Sequence, residues 1–163
     1  MSVKIVVSDT SPIRALAHLE MVELLDALYG EILIPPAVVT ELARQTIRFA
    51  SLNIDPYPFL KVVAPANRRR VSELRAILDP GESESIALAE ELRADHLLID
   101  ERRGRDQAIR LSLRPIGALG MLLRAKELGI IGAVVPLLDQ LEQEINFFVS
   151  PSLRAEVLRQ SKE

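Results

Sequence analysis

The sequence predicts an α/β fold built on a mostly parallel sheet, and three observations predict it. Short apolar runs of strand length alternate with longer segments of helical period, the order expected of βα units. Several helix starts are marked by a capping residue followed by a proline, as in Asp79-Pro80 and Ser11-Pro12. The chain of 163 residues suits a single domain with one substantial core, spanning residues 1–163.

Taken in order, strands are expected at Val3–Val7, Glu31–Ile34, His96–Ile99 and Leu113–Ile116. Helical periodicity covers Pro12–Leu19, Met21–Leu28, Pro36–Thr46, Val71–Leu78 and Gly81–Arg93, then Arg102–Leu111, Ala118–Glu127, Val134–Glu144 and Pro151–Gln160. Leu60–Ala64 is apolar enough for a further short strand or an extended connection. Ser51–Pro58, with Asn53, Asp55, Pro56 and Pro58, reads as a surface loop. In the opening stretch VKIVVSDTSP, Ser11 is expected to cap the next helix and Pro12 to start it.

Composition excludes several functions. There are no cysteines, hence no disulfides, thiolate metal sites or cysteine nucleophiles, and two isolated histidines, His18 and His96, argue against zinc. Any metal would sit on oxygen ligands. Apolar runs fall far short of the roughly 18 residues that span a bilayer, so no membrane partner is expected. Met1–Asp9 reads as a strand rather than a signal peptide, which places the protein in the cytoplasm. The formal charge of −3 disfavours a general polyanion binder. Arginine is nevertheless clustered at Arg68, Arg69 and Arg70, and again at Arg102, Arg103, Arg105 and Arg110, which read first as solvated helix surface.

Four acids stand where chemistry is done. Asp9 and Asp100 each follow a strand, and ligands of open parallel sheets bind outside the carboxyl ends of strands. The structural alternatives are an Asx-turn at Asp9 and a helix cap at Asp100. Glu41, in PPAVVTEL, borders the buried stripe of its helix and could equally be a glutamate favoured by the helix dipole. Glu82 shares a face with Ser85, Ile86 and Ala89 and so points inward, against the alternative of a capping box with Asp79. Glu84, Glu90 and Glu91 lie on other faces and are expected to be solvated. Four carboxylates sharing a crevice would repel one another unless a cation such as Mg²⁺ or Mn²⁺ neutralised them.

The set Asp9-Thr10-Ser11, Glu41 in PPAVVTEL, Pro80-Gly81-Glu82 before IALA, and LLIDERRGR ending in Arg105 resembles the PIN-domain family, more narrowly the branch related to VapC-type toxins. The resemblance implies an α/β/α sandwich, metal-dependent endoribonuclease chemistry on RNA, and a small antitoxin partner. It further implies Asp9, Glu41, Glu82 and Asp100 as the acidic quartet. Asp9, Glu82 and Asp100 would hold the metal, with Thr10, Ser11 and Arg105 near the substrate phosphate. Glu101 is either an assisting acid or surface. The chain departs from the toxins in having glutamate at position 82 and no hydroxyl at Ala118.

Two readings follow. The first is a ribonuclease, with the toxin of a toxin-antitoxin pair as one form of it. With two tyrosines, four phenylalanines and no tryptophan, it is expected to follow RNA shape rather than base sequence. The second is a weak or inactive PIN-fold module that binds RNA or protein. The apolar C-terminal segments GIIGAVVPLLDQL and FFVSPSL could serve a homodimer or antitoxin surface, with core packing as the first expectation. Aspartyl-phosphate transfer fares poorly because the DTS segment lacks a second aspartate, and no GxxxxGK phosphate loop occurs. The Gly117 and Gly120 pair reads as close helix–sheet packing.

Overall fold

The computed structural model describes residues 4–163. Five strands, β1 (Val6–Ser8), β2 (Ile32–Ile34), β3 (Leu60–Val62), β4 (His96–Leu98) and β5 (Pro115–Ile116), pair in the order β3-β2-β1-β4-β5. Every pairing is parallel. The nine helices among the described residues are α1 (Thr10–His18), α2 (Leu24–Tyr29), α3 (Pro36–Ala43), α4 (Arg68–Leu74), α5 (Pro80–Leu92), α6 (Arg102–Arg110), α7 (Ala118–Glu127), α8 (Val135–Ile145) and α9 (Pro151–Ser161).

Alternation along the strands feeds a separate core on each face of the sheet. Val6, Ile32, Ile34 and Leu98 join a core with α1, α3, α7 and α8. Val7, Leu97 and Ile99 face the other way and pack with Val71, Leu74, Ile86 and Ala108, from α4, α5 and α6. The result is the expected α/β/α sandwich. The first apolar C-terminal segment serves the core, through Val134, Leu138 and Leu141, whereas Phe148 and Leu153 of the second are exposed.

Several boundaries differ from the sequence reading, each for a local reason. β1 runs Val6–Ser8 rather than Val3–Val7, and Val3 lies outside the described residues. Leu60–Val62 is a strand because the ladder continues on both sides of it: the Ile32 amide donates to the Phe59 carbonyl and the Val63 amide to the Ile34 carbonyl, at 2.9 and 3.0 Å. Helix α1 starts at Thr10 with Asp9 at the N-cap, so Ser11 does not cap it and Pro12 does not start it. Proline is tolerated inside that first turn because its missing N–H would have had no helical partner. Helix α4 begins at Arg68, ahead of the expected Val71, because the Asn67 side chain accepts the Arg70 amide at 3.1 Å. Helix α3 stops at Ala43, short of Thr46. The Arg14 guanidinium there donates to the carbonyls of Glu41 and Arg44, satisfying a helix end.

The acids expected to be solvated on α5 are engaged instead. Glu84 accepts the Ala37 amide in the first turn of α3, at 3.1 Å, and pairs with Arg68 at 3.3 Å. Glu90 pairs with Arg70 at 2.8 Å, and Glu91 accepts the amides of Ala66 and Asn67. Arg68 and Arg70 of the α4 cluster are therefore tied to α5, while Arg69 stays exposed on its own helix.

A contrast between core and surface tests this architecture. Leu98→Ala, at a position with no exposure, should lower the unfolding free energy by about 2–5 kcal/mol. Arg69→Ala, which removes only an exposed pair with Glu73, should stay within about 0.5 kcal/mol of the parent. Urea denaturation of both variants reads the difference, and equal losses would contradict the two-core sandwich.

Candidate active site at the carboxyl ends of the sheet

The strand order reverses between β1 and β4. The chain moves outward from β1 to β2 and β3, then returns to the other side of β1 for β4 and β5. Such a switch point opens a crevice outside the carboxyl ends of the strands. Val7 pairs with Leu97 and Ser8 with Leu98, and the Asp9 amide donates to the Leu98 carbonyl at 2.8 Å. Asp9 and Asp100 thus stand at the carboxyl ends of neighbouring strands, Asp9 on one cleft and Asp100 on another.

Asp9 is only 2% exposed, and its Oδ1 has no hydrogen-bond partner among the described residues. Burial pushes its carboxyl from the ordinary 3.8 up to about 8, with the charges of Asp79, Glu41 and Glu101 adding to the rise and the Thr10 amide opposing it. Asp100 does not cap α6. Its Oδ1 accepts the Ala118 amide at 3.0 Å, while Oδ2 is buried without a partner. Burial raises it to about 6, less than Asp9 because the Ala118 amide and the Arg105 charge favour the ionised form. The main chain of Ala118 thus supplies a donor at a position that has no side-chain hydroxyl.

Glu82 is buried, as its helical face required. Only half of the capping box forms: Asp79 accepts the Glu82 amide at 2.8 Å, while Glu82 Oε2 stays buried and unpartnered. Burial, then Asp79 and Asp9, raise its carboxyl well above the ordinary range. Glu41 differs from the other acids. Its Oε1 accepts the Gly81 amide at 3.0 Å and its Oε2 accepts the Thr10 hydroxyl, so both oxygens are occupied. Thr10, though buried, and Ser11 both line a cleft of ≈ 580 Å³ that also borders Asp9, Glu41, Asp79 and Glu101. Arg105 donates to the Ile99 carbonyl at 3.3 Å and stands beside Asp100.

Sequence reasoning missed the glycines that make room for these acids. A Cβ on Gly81 would lie 2.3 Å from Glu41 Oε2, one on Gly104 2.8 Å from Glu82 Oε2, and one on Gly117 2.5 Å from Asp100 Oδ1. Gly117, read from sequence as helix–sheet packing, is therefore the berth of a carboxylate; Gly120, whose Cβ would meet Ile116, fits the packing description. Gly81-Glu82 and Asp100 with Gly104 are close in sequence, but the pairing of Gly81 with Glu41 spans a separation no local pattern shows. Asp79 and Glu101 were also undervalued: Asp79 acts on both Asp9 and Glu82, and Glu101 on Asp9, Glu82 and Asp100.

The donor chemistry suits a hard divalent cation: buried carboxylate oxygens lacking partners, with no thiolate or imidazole nearby. As the side chains stand, no three His, Cys, Asp or Glu groups among the described residues are placed to hold a metal ion together. Mg²⁺ characteristically binds through one or two carboxylates and keeps several waters, so a closed protein cage is not what such an ion requires. No helix among the described residues is long and apolar enough to cross a membrane.

A family model described as a PIN domain matches residues 5–163, and the chain belongs to the PIN-domain family. PIN domains are generally nucleases and typically use divalent metals. No curated protein matches the chain.

Two measurements test the site as built. Gly81→Ala and Gly117→Ala should each lose about 1–3 kcal/mol of stability through overpacking, whereas Gly132→Ala, with open space at its Cβ position, should lose little. Comparable losses at all three would remove the special status of the acid-bearing glycines. The buried acids also set a pH dependence in chelated buffer. Their folded values lie above the unfolded ones, so the folded chain holds extra protons in between. Stability is therefore full below about pH 4 and falls as pH rises through about 6 for Asp100 and about 8 for Asp9. Melting temperatures followed by circular dichroism should drop from about pH 5 to pH 9, and Asp9→Asn should flatten the drop; a rising profile would contradict the cluster.

Proposed function

We propose that this chain is a metal-dependent endoribonuclease of the VapC-like branch of PIN domains, hydrolysing RNA phosphodiester bonds in the cytoplasm as one domain. The observation that carries the reading is the set of three buried, partnerless carboxylate oxygens, on Asp9, Glu82 and Asp100, at the switch point of the sheet. An isolated buried carboxylate is costly. Three in one crevice make sense when a cation completes them.

Asp9, Glu82 and Asp100 would hold Mg²⁺ or Mn²⁺, which when bound supplies a water of lowered pKa and stabilises charge on the leaving oxygen. Ionising Asp9 and Glu82 requires removal of protons that burial holds on them near neutral pH, so binding is linked to proton release. Glu41 orients: by accepting from Thr10 and from Gly81 it locks the start of α1 to the start of α5, and it fixes the direction of the Thr10 hydroxyl. Ser11 and Arg105 border the acids and are placed to contact the scissile phosphate, Arg105 through its guanidinium.

Charge is arranged to match. Arg102, Arg103 and Arg110 of α6 make no ion pair among the described residues, unlike Arg68, Arg69 and Arg70. The helix that follows Asp100 therefore carries three unpaired arginines, next to an acidic crevice that would by itself repel a polyanion. A small antitoxin and a homodimer belong to the same proposal.

A second reading, a PIN-fold module that binds RNA or protein without cutting it, is favoured by the absence of a closed three-ligand cluster among the described residues. Calorimetric titration with Mn²⁺, paired with cleavage of a labelled RNA, separates the two. Wild type should bind and cleave, with affinity rising from pH 6 to pH 8. Asp9→Asn with Asp100→Asn should abolish both. Millimolar Mn²⁺ without any binding heat in wild type would transfer the assignment to the binding module.

A further inference from the structure

We infer that the groove between the β5–α7 turn and α9 is a nucleobase subsite, with Phe148 as its stacking platform, so that the substrate strand must be unpaired beside the scissile phosphate. The inference rests on the ribonuclease reading and deepens it. Three of the four phenylalanines, Phe49, Phe147 and Phe148, line the two clefts that border the acids, while Phe59 packs against Tyr57 with ring centroids 6.0 Å apart. The two clefts are not equivalent. Phe49 already carries the Arg14 guanidinium over its ring, at 5.1 Å. Phe148 is 85% exposed, without an aromatic or cationic partner among the described residues.

The groove holds ≈ 480 Å³, room for a nucleoside-sized group, and Asp100 and Arg105 belong to its wall. Its occupant therefore touches the acid crevice. Phe147, Phe148 and Leu153 give the groove an apolar wall, and Gln160 lines it as well. The Gln160 amide nitrogen donates to Glu156 at 2.6 Å, which leaves its carbonyl oxygen open to accept from a base. Glu156 is paired with the Arg159 guanidinium, which offsets its charge toward a phosphate. A nucleotide combines a flat apolar face, a hydrogen-bonding edge and an anionic phosphate, and the groove presents a partner for each: Phe148, Gln160 and Arg105. An aliphatic peptide would leave the two polar ends idle. A duplex cannot offer a base face to Phe148, because its bases are stacked and paired. The scarcity of aromatics in the sequence thus pointed to shape-governed cleavage, whereas the folded chain gathers those few around the acids.

The test measures binding apart from catalysis. A fluorescently labelled single-stranded RNA octamer, the same strand with abasic nucleotides, and its duplex are titrated with wild-type protein by anisotropy, in chelator at low salt. The single strand should bind on the order of tenfold more tightly than the abasic strand or the duplex, the scale of one base stacked on an aromatic ring. Phe148→Ala, a change at an exposed position that leaves the core intact, should erase that difference, and Phe148→Tyr should retain it. Equal affinity of wild type and Phe148→Ala, or of single strand and duplex, overturns the subsite. Absence of RNA binding together with a wild-type dimer that Phe148→Ala dissociates also overturns it, and gives the groove to a second copy of the chain. Cleavage in Mn²⁺ on the same samples keeps the readings apart. Cleavage with KM unchanged in Phe148→Ala defeats the subsite alone, and Phe148-dependent binding without cleavage supports the subsite while defeating the nuclease.

Discussion

The pairing of β1 with β4 is the constraint on which the site depends. These strands are adjacent in the sheet but separated by most of the first two-thirds of the chain, and their register is parallel through Val6, Val7 and Ser8 against His96, Leu97 and Leu98. The ladder ends with the Asp9 amide on the Leu98 carbonyl. A shift of one residue would turn Val7 and Leu97 into the wrong core and swing Asp9 out of the crevice, because side chains alternate along a strand. The two cores therefore hold the register, and the register holds the acids.

Around that fixed point the fold treats the carboxylate oxygens unequally. Asp100 and Glu41 receive main-chain amides, from Ala118 and Gly81. Asp79 accepts the Glu82 amide, but the Glu82 side chain does not return to the Asp79 amide and stays turned inward. What remains is one unpartnered oxygen each on Asp9, Glu82 and Asp100. Buried polar atoms are nearly always satisfied, so a group of three exceptions marks a place where the fold gives up stability for another purpose. Glycine at 81, 104 and 117 is what lets helices approach these acids without displacing them.

The arginines show the same division between structure and service. Two of those on α4 are held by α5, Arg68 by Glu84 and Arg70 by Glu90, while Arg69 pairs only with Glu73 of its own helix. Arg14 is turned inward to satisfy the end of α3. Arg102, Arg103 and Arg110 of α6, which starts just past Asp100, make no ion pair among the described residues. Two clusters that look alike in sequence thus have different physical roles, decided by which helix faces them.

The sequence by itself determined the class of fold, the positions of most helices and four of five strands, and the inward face of Glu82. These follow from apolar periodicity and from caps, interactions between residues a few positions apart. It also carried the family likeness, in short motifs around Asp9, Glu41, Glu82 and Asp100. It misplaced the start of α1, because Ser11-Pro12 satisfies the rules of a helix start whether the cap falls there or at Asp9. It left β3 open, because Leu60–Val62 becomes a strand only when β2 offers it a ladder. Only the tertiary structure decided which carboxylate oxygens are held and which are free, that the Gly81 and Gly117 Cβ positions are filled by Glu41 and Asp100, that Glu84, Glu90 and Glu91 are bound rather than solvated, and that Phe49, Phe147 and Phe148 line the clefts bordered by Asp9 and Asp100. Each depends on contacts between segments far apart in the chain, and such contacts leave no periodic trace in the sequence.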